Sequence, residues 1–201
     1  PDLGNIILII MVTFSLLFVA NIPLKYLVTF IFLALGGVVT SIALYPYQLE
    51  RIKIFLDPWS DPLGRSYHII QSYTAIGSGG LLGHGFGQSK LKFFYLPLHY
   101  SDFIFSIICE EGGFIFATIV VLLFLNLVFQ GFRIARNTTN SFSSYLAIGL
   151  TLFLTLQACL NIGVVIGLFP ITGIPLTFIS YGGTSLVMSL FSCGVLMNIS
   201  K

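Results

Sequence analysis

Charge is what this chain of 201 residues has least of: Asp, Glu, Lys and Arg make up 8% of it, against about 25% in an ordinary soluble domain. That deficit excludes a soluble globular protein. Cysteine is scarce as well. Cys109, Cys159 and Cys193 sit inside apolar stretches without metal-ligand spacing, which excludes a disulfide scaffold and makes them packing residues. The formal net charge is only +2, too little for nucleic-acid binding, which needs a clustered basic face. Acidic and basic residues are too few for a disordered or coiled-coil chain. What is abundant is apolar: 56% of the residues, including 20 Phe, with a mean hydropathy of +0.99. This is the composition of a polytopic membrane protein, expected to be all-α because uncharged runs of about 20 residues can cross lipid as helices that pair their backbone within their own segment. The chain opens on Pro1 with no basic n-region before its first apolar run, so it contains no signal peptide to set aside and reads as part of something longer.

A bilayer core about 30 Å thick takes about 20 helical residues. Leu3 to Ala20 and Tyr26 to Leu44 are uncharged runs separated by Asn21-Ile22-Pro23-Leu24-Lys25. Gly112 to Phe132, entered from Phe103, predicts a third span closed by Arg133 and Arg136. From Asn137 to Ser200 the chain has no Asp, Glu, Lys, Arg or His. That stretch is far too long for one crossing, and Pro170, Pro175, Gly167 and Gly173 mark where it reverses. The fourth and fifth spans are then about 145–168 and 183–199. The expected organisation is two transmembrane helices over 1–44, a large loop over 45–102, and three transmembrane helices over 103–201 with a short Pro-rich loop at 169–178. Lys25, Arg133, Arg136 and Lys201 fall on one side with no acidic residue. The positive-inside rule makes that side cytoplasmic and the long loop extracytoplasmic.

Only the long loop and its junction with the third span carry enough polar groups for chemistry. The run from Gly77 to Gly87 fits neither a dinucleotide nor a P-loop spacing, and its glycines read as permitting tight turns and close backbone approach. Anion binding by exposed N–H groups is the alternative. His68, His84 and His99 match no zinc spacing. Asp102 stands where loop becomes span, with Glu110 and Glu111 eight and nine residues on. Helix-capping is one reading of Ser101 and Asp102. Acids one or two turns deeper are not explained by capping, since a membrane tolerates them only beside a cavity or a partner. On a helix starting at Asp102, Glu110 falls about 12 Å further along and roughly 80° round, and Glu111 points away.

Several stretches, in order and from end to end, resemble the SEDS family of cell-wall polymerases. They are Pro1-Asp2-Leu3-Gly4, Asp57-Pro58-Trp59-Ser60-Asp61-Pro62-Leu63-Gly64, Gln71-Ser72, Ile76-Gly77-Ser78-Gly79-Gly80, Leu96-Pro97, Asp102-Phe103-Ile104-Phe105, Glu110-Glu111, Gly167 to Leu176, and Ser180-Tyr181-Gly182-Gly183-Thr184-Ser185. Gly85-Phe86-Gly87-Gln88-Ser89, Lys92 and Tyr95-Leu96-Pro97 resemble the division (FtsW) branch more than the elongation (RodA) branch, with sporulation members close by. Members have about ten spans, and the five found here resemble the second half.

The resemblance implies polymerisation of lipid II into glycan strands, with undecaprenyl pyrophosphate as leaving group. It also implies a class B penicillin-binding protein as transpeptidase partner, other division proteins, and the inner membrane at the septum. Asp102 aligns with the aspartate regarded as catalytic. Deprotonating an acceptor hydroxyl and neutralising a pyrophosphate asks for one carboxylate and several cations, so Arg51, Lys53, Arg65, Lys90 and Lys92 are candidate substrate contacts, with Glu110, Ser180 and Tyr181. A divalent cation between Asp102 and the pyrophosphate is compatible with this, although no complete ligand set is visible. Three positions depart from the family pattern: Leu98 replaces a usual Glu, Tyr100-Ser101 a usual His-Thr, and Thr172 a frequent Lys. The alternatives are a flippase with Asn126, Gln157 and Asn161 lining a path, and a noncatalytic scaffold.

Overall fold

A computed structural model describes residues 3–89 and 102–201. It is all-α, with no strand among the described residues. In chain order the helices are α1 (Leu3–Val19), α2 (Leu24–Leu44), α3 (Pro46–Leu56), α4 (Tyr67–Gly79), α5 (Ile104–Asn137), α6 (Ser141–Val165) and α7 (Gly183–Ile199), with one 3₁₀ turn at Pro58–Ser60.

Helices α2, α5 and α6 are long and apolar enough to cross a membrane, while α1 and α7 are apolar but shorter, at 17 residues each. The fifth expected span coincides with α7. Helix α5 runs past Phe132 to Asn137, because Arg133 and Arg136 can carry their charges outward on long stems without ending the helix. Asn140 starts α6, its Oδ1 accepting from the Phe142 N–H at 2.9 Å, which satisfies one of the orphan donors of a helix N-terminus. Within 45–102, the stretch expected outside the hydrocarbon, the chain forms α3 and α4. Pro46 occupies the first turn of α3, where its missing N–H costs nothing.

Helices α5 and α6 pair along most of their length, α4 packs on α5, α1 packs on α6, and α2 packs on α1 and α3. Helix α1 runs antiparallel to α6, with Leu16 against Gly149 near one end and Gly4 against Thr172 and Ile174 near the other. Lipid tails are as apolar as leucine, so close contact and internal hydrogen bonds hold such a bundle together more than escape from water does. Gly131 shows the contact: a Cβ there would strike the Thr151 side chain. The hydrogen bonds show in the buried polar set, which includes Ser72, Ser106, Thr151, Asn161 and Thr177, all at 2% exposure or less.

Two irregular segments decide what the bundle can do. Helix α5 is interrupted at Gly113, whose φ of 66° and ψ of −169° lie in a region open essentially only to glycine. The backbone groups freed there pair with the glycine-rich turn after α4. Phe114 N donates to Gly80 O at 2.9 Å, His84 N to Glu110 O at 3.0 Å and Gly85 N to Glu111 O at 3.0 Å. The close-approach reading of these glycines therefore holds, since a Cβ at Gly79 or Gly83 would collide with the Cys109 or Glu111 carbonyl. The second segment, 166–182, follows α6 and turns back into the molecule, burying Thr172, Ile174, Leu176 and Thr177.

Candidate functional site

Asp102 stands one residue before the N-cap position of α5, which is Phe103. Its backbone is held from across the bundle: the buried Asn161 amide of α6 donates to the Asp102 carbonyl at 2.8 Å and to the Ile174 carbonyl at 2.8 Å. One side chain thus fixes the start of α5 against the inward-turning segment. An asparagine amide has two N–H donors, and both are used here.

On the other side of that segment, Arg51 of α3 donates from Nη1 to the carbonyls of Ile171 and Thr172, at 3.1 and 3.2 Å. Its guanidinium lies 4.5 Å from the centre of the Tyr47 ring and also bonds the Tyr47 hydroxyl. A planar fork that is stacked and bonded at both ends keeps its direction, which a lysine could not do. Gly173 is where the two meet. A Cβ at this position would lie 3.7 Å from Asp102 Oδ2 and 3.9 Å from Arg51 Nη2. The carboxylate and the guanidinium thus converge on a residue without a side chain, leaving room for a third party between them. The hydrogen-bond and stacking partners of Arg51 are neutral, so its full positive charge remains beside Asp102.

Arg51 also borders a groove of about 590 Å³, whose wall includes Tyr47, Glu50, Ile54, Arg65 and His68. Arg65 is ion-paired with Glu50 and its backbone N–H is held by Asp61 Oδ2 at 3.1 Å. His68 stacks on Phe103 with ring centroids 6.4 Å apart, and its Nδ1 is buried without a hydrogen-bond partner among the described residues. An apolar cavity of about 210 Å³ on the other side of Arg51, lined by Leu3, Ile7, Val38 and Ile42, leads down between α1 and α2. A polar groove against an apolar slot, with an arginine between them, suits a molecule with a charged head and a hydrocarbon tail.

The remaining candidate residues lie elsewhere. Lys53 is on the exposed side of α3. Lys90 and Lys92 lie outside the described residues. Glu110 is 2% exposed and accepts a hydrogen bond from the Ser89 hydroxyl; it is not part of the groove wall. Glu111 has one buried carboxylate oxygen without a hydrogen-bond partner among the described residues. The Ser180 hydroxyl accepts from Leu176 N at 2.7 Å and so braces the inward-turning segment, while Tyr181 is 85% exposed. No three His, Cys, Asp or Glu side chains gather at one point among the described residues, so these residues form no cation cage.

A polar path through the spans is not what Asn126, Gln157 and Asn161 make. Gln157 donates to the Pro175 carbonyl at 3.0 Å, Asn161 is committed as above, and Asn126 is on the exposed face of α5. Sequence reading missed His68, Gly173 and the positioning part of Asn161. A sign of Asn161 was present, since an amide at membrane depth must find partners. Which carbonyls it would find depends on a contact 59 residues away.

The model of the FTSW_RODA_SPOVE family, described as cell cycle protein, matches residues 1–201. Stage V sporulation protein E of Bacillus subtilis is 45% identical over 201 residues, covering 100% of this chain and 55% of that protein. The probable peptidoglycan glycosyltransferase FtsW of Geobacter sp. (strain M18) is 42% identical over 199 residues, 99% of this chain and 54% of that protein. A solved chain described under structural coordination of polymerization and crosslinking by a peptidoglycan synthase complex superposes with a TM-score of 0.76 at 30% identity, covering 100% of this chain and 56% of its own. The chain spans about half the length of the curated relatives it matches.

Proposed function

The chain belongs to the FtsW/RodA/SpoVE family of cell cycle proteins, and from that membership we propose that it forms the catalytic half of a multi-pass peptidoglycan glycosyltransferase. The substrate is lipid II and the product a growing glycan strand. The observation that carries the reading is the convergence of the Asp102 carboxylate and the Arg51 guanidinium on Gly173, beside a polar groove and an apolar slot. Asp102 takes the proton of the acceptor hydroxyl as its oxygen bonds the donor's anomeric carbon. The bond from that carbon to the pyrophosphate oxygen breaks, and its electron pair leaves on undecaprenyl pyrophosphate. Arg51, already oriented by Tyr47 and two carbonyls, meets the charge growing on the pyrophosphate. Arg65 joins it once the pyrophosphate competes with Glu50.

With five apolar helices and the basic residues 25, 133, 136 and 201 on one side, the groove faces outward from the bacterial cytoplasmic membrane, where lipid-linked precursors are consumed. The partner is a cross-linking transpeptidase of the class B penicillin-binding type, at the division septum. The synthase complex that the fold resembles, described as coordinating polymerization and crosslinking, supports a partner of that kind.

Asp102→Asn keeps the shape and most of the hydrogen bonding but removes the base. In the full-length protein with its partner, lipid II polymerisation should fall by about 10²- to 10⁴-fold, with membrane yield and thermal unfolding unchanged. Polymerisation at the wild-type rate in this variant would overturn the assignment.

A further inference from the structure

At the far end of the bundle from Asp102, the last turns of α5 and α7 and the 138–140 turn enclose a cavity of about 410 Å³, bordered by Arg133 and Lys201. We propose that this cavity is a binding site for a phosphate group, taken from the headgroup of an anionic membrane lipid.

Charge is the first ground. Residues 112–201 contain no Asp or Glu, and neither Arg133 nor Lys201 makes an ion pair among the described residues. Two cations therefore face one hollow with no Asp or Glu from residues 112–201 beside them. Around them stand Gln130, Asn137 and Thr139, whose side chains make no hydrogen bond among the described residues and so keep their donors for a ligand.

The helix ends are the second ground. Helices α5 and α7 both finish here, and the bare carbonyls of a helix C-terminus repel anions. Those carbonyls are partly occupied. Thr138 Oγ1 donates to Ile134 O at 2.8 Å, Ser200 Oγ to Met197 O at 2.7 Å and Ser200 N to Leu196 O at 3.1 Å. Arg136, in the last turn of α5, complements that helix end and does not border the cavity. Arg133 sits one turn earlier and does border it, which separates a ligand-facing cation from a dipole-facing one on the same helix. The third ground is position. The cavity lies where the apolar stretch of α5 ends, with Phe129 and Phe132 exposed beside it, so a phosphate held there can keep its acyl chains against the bundle. Basic hollows between spans at this depth are suited to lipid headgroups.

A cation near an anionic lipid is worth about fivefold in affinity, so removing two should cost roughly 30-fold. The test uses the purified full-length protein in neutral-lipid nanodiscs, titrated with phosphatidylglycerol and read by native mass spectrometry and thermal unfolding. The double variant Arg133→Gln/Lys201→Gln should lose about 30-fold in phosphatidylglycerol binding, and Arg136→Gln less than threefold. Displacement of the lipid by millimolar inorganic phosphate would make free phosphate the source while keeping the site. Equal phosphatidylglycerol binding by wild type and the double variant, or equal losses in the double variant and Arg136→Gln, would overturn the proposal.

Discussion

Asn161 shows how much one side chain can carry. It is 2% exposed and serves two carbonyls, those of Asp102 and Ile174, at 2.8 Å each. Removing the amide leaves both acceptors without that donor, at roughly 1 to 3 kcal/mol apiece. Asn161→Leu should therefore destabilise the protein by about 2 to 6 kcal/mol, read as lowered thermal unfolding in detergent. Polymerisation should fall further than stability explains, because the backbone of Asp102 loses its tether. Asn126→Leu, on the exposed face of the neighbouring span, should leave both unchanged. Arg51 offers a second residue-scale test. Arg51→Lys keeps the charge but cannot hold two carbonyls and stack on Tyr47 together. It should keep membrane yield while lowering turnover by at least tenfold, and retention of wild-type turnover would mean that charge alone suffices.

At the scale of elements, the break in α5 is the feature with the sharpest consequence. A helix crossing lipid normally pairs its own backbone, and non-helical backbone survives at that depth only when protein takes over the pairing. Here the turn after α4 does so, through Gly80, Leu81, His84 and Gly85. Gly113→Ala adds a Cβ in a conformation closed to alanine, against the Gly83 amide and the Leu81 carbonyl. The variant should lose most of its folded yield, measured by fluorescence-detected size exclusion. Gly77→Ala, where a Cβ meets nothing within 4 Å, should be neutral or gain up to about 1 kcal/mol from helix propensity. If Gly113→Ala folded as well as Gly77→Ala, the interruption would be dispensable.

For the whole molecule, the two ends differ in charge, and this difference predicts orientation. All seven acidic residues lie at or before Glu111, whereas Arg133, Arg136 and Lys201 have no acidic neighbour in sequence. In a background lacking the three native cysteines, Ser60→Cys should be labelled from outside intact cells by an impermeant thiol reagent. Thr139→Cys should be labelled only after permeabilisation. The reverse pattern would put Asp102 on the cytoplasmic face and remove the groove from the proposed lipid-linked substrate. Helix α2 buries only Leu27, so its apolar surface is available to lipid or to the rest of a longer chain.

The sequence by itself determined the all-α membrane fold class, because a run of apolar residues long enough to cross lipid has few other places to go. It also determined orientation as an expectation, since that depends on counts of Lys and Arg in short turns and not on any contact. It placed Asp102 at a loop-to-span junction for the same local reason. What the tertiary structure decided is which groups meet. The Arg51 side chain bonds Ile171 and Thr172 from 120 and 121 residues away, and no local pattern contains such a pairing. Lys53, two residues from Arg51, is turned outward by helical rotation alone, and composition could not have separated the two. The inward course of 166–182 was equally hidden. Its prolines and glycines announce a reversal, but burial of the reversed segment depends on Gln157, Asn161 and Leu154 of α6 supplying partners for its backbone and for the Thr177 hydroxyl.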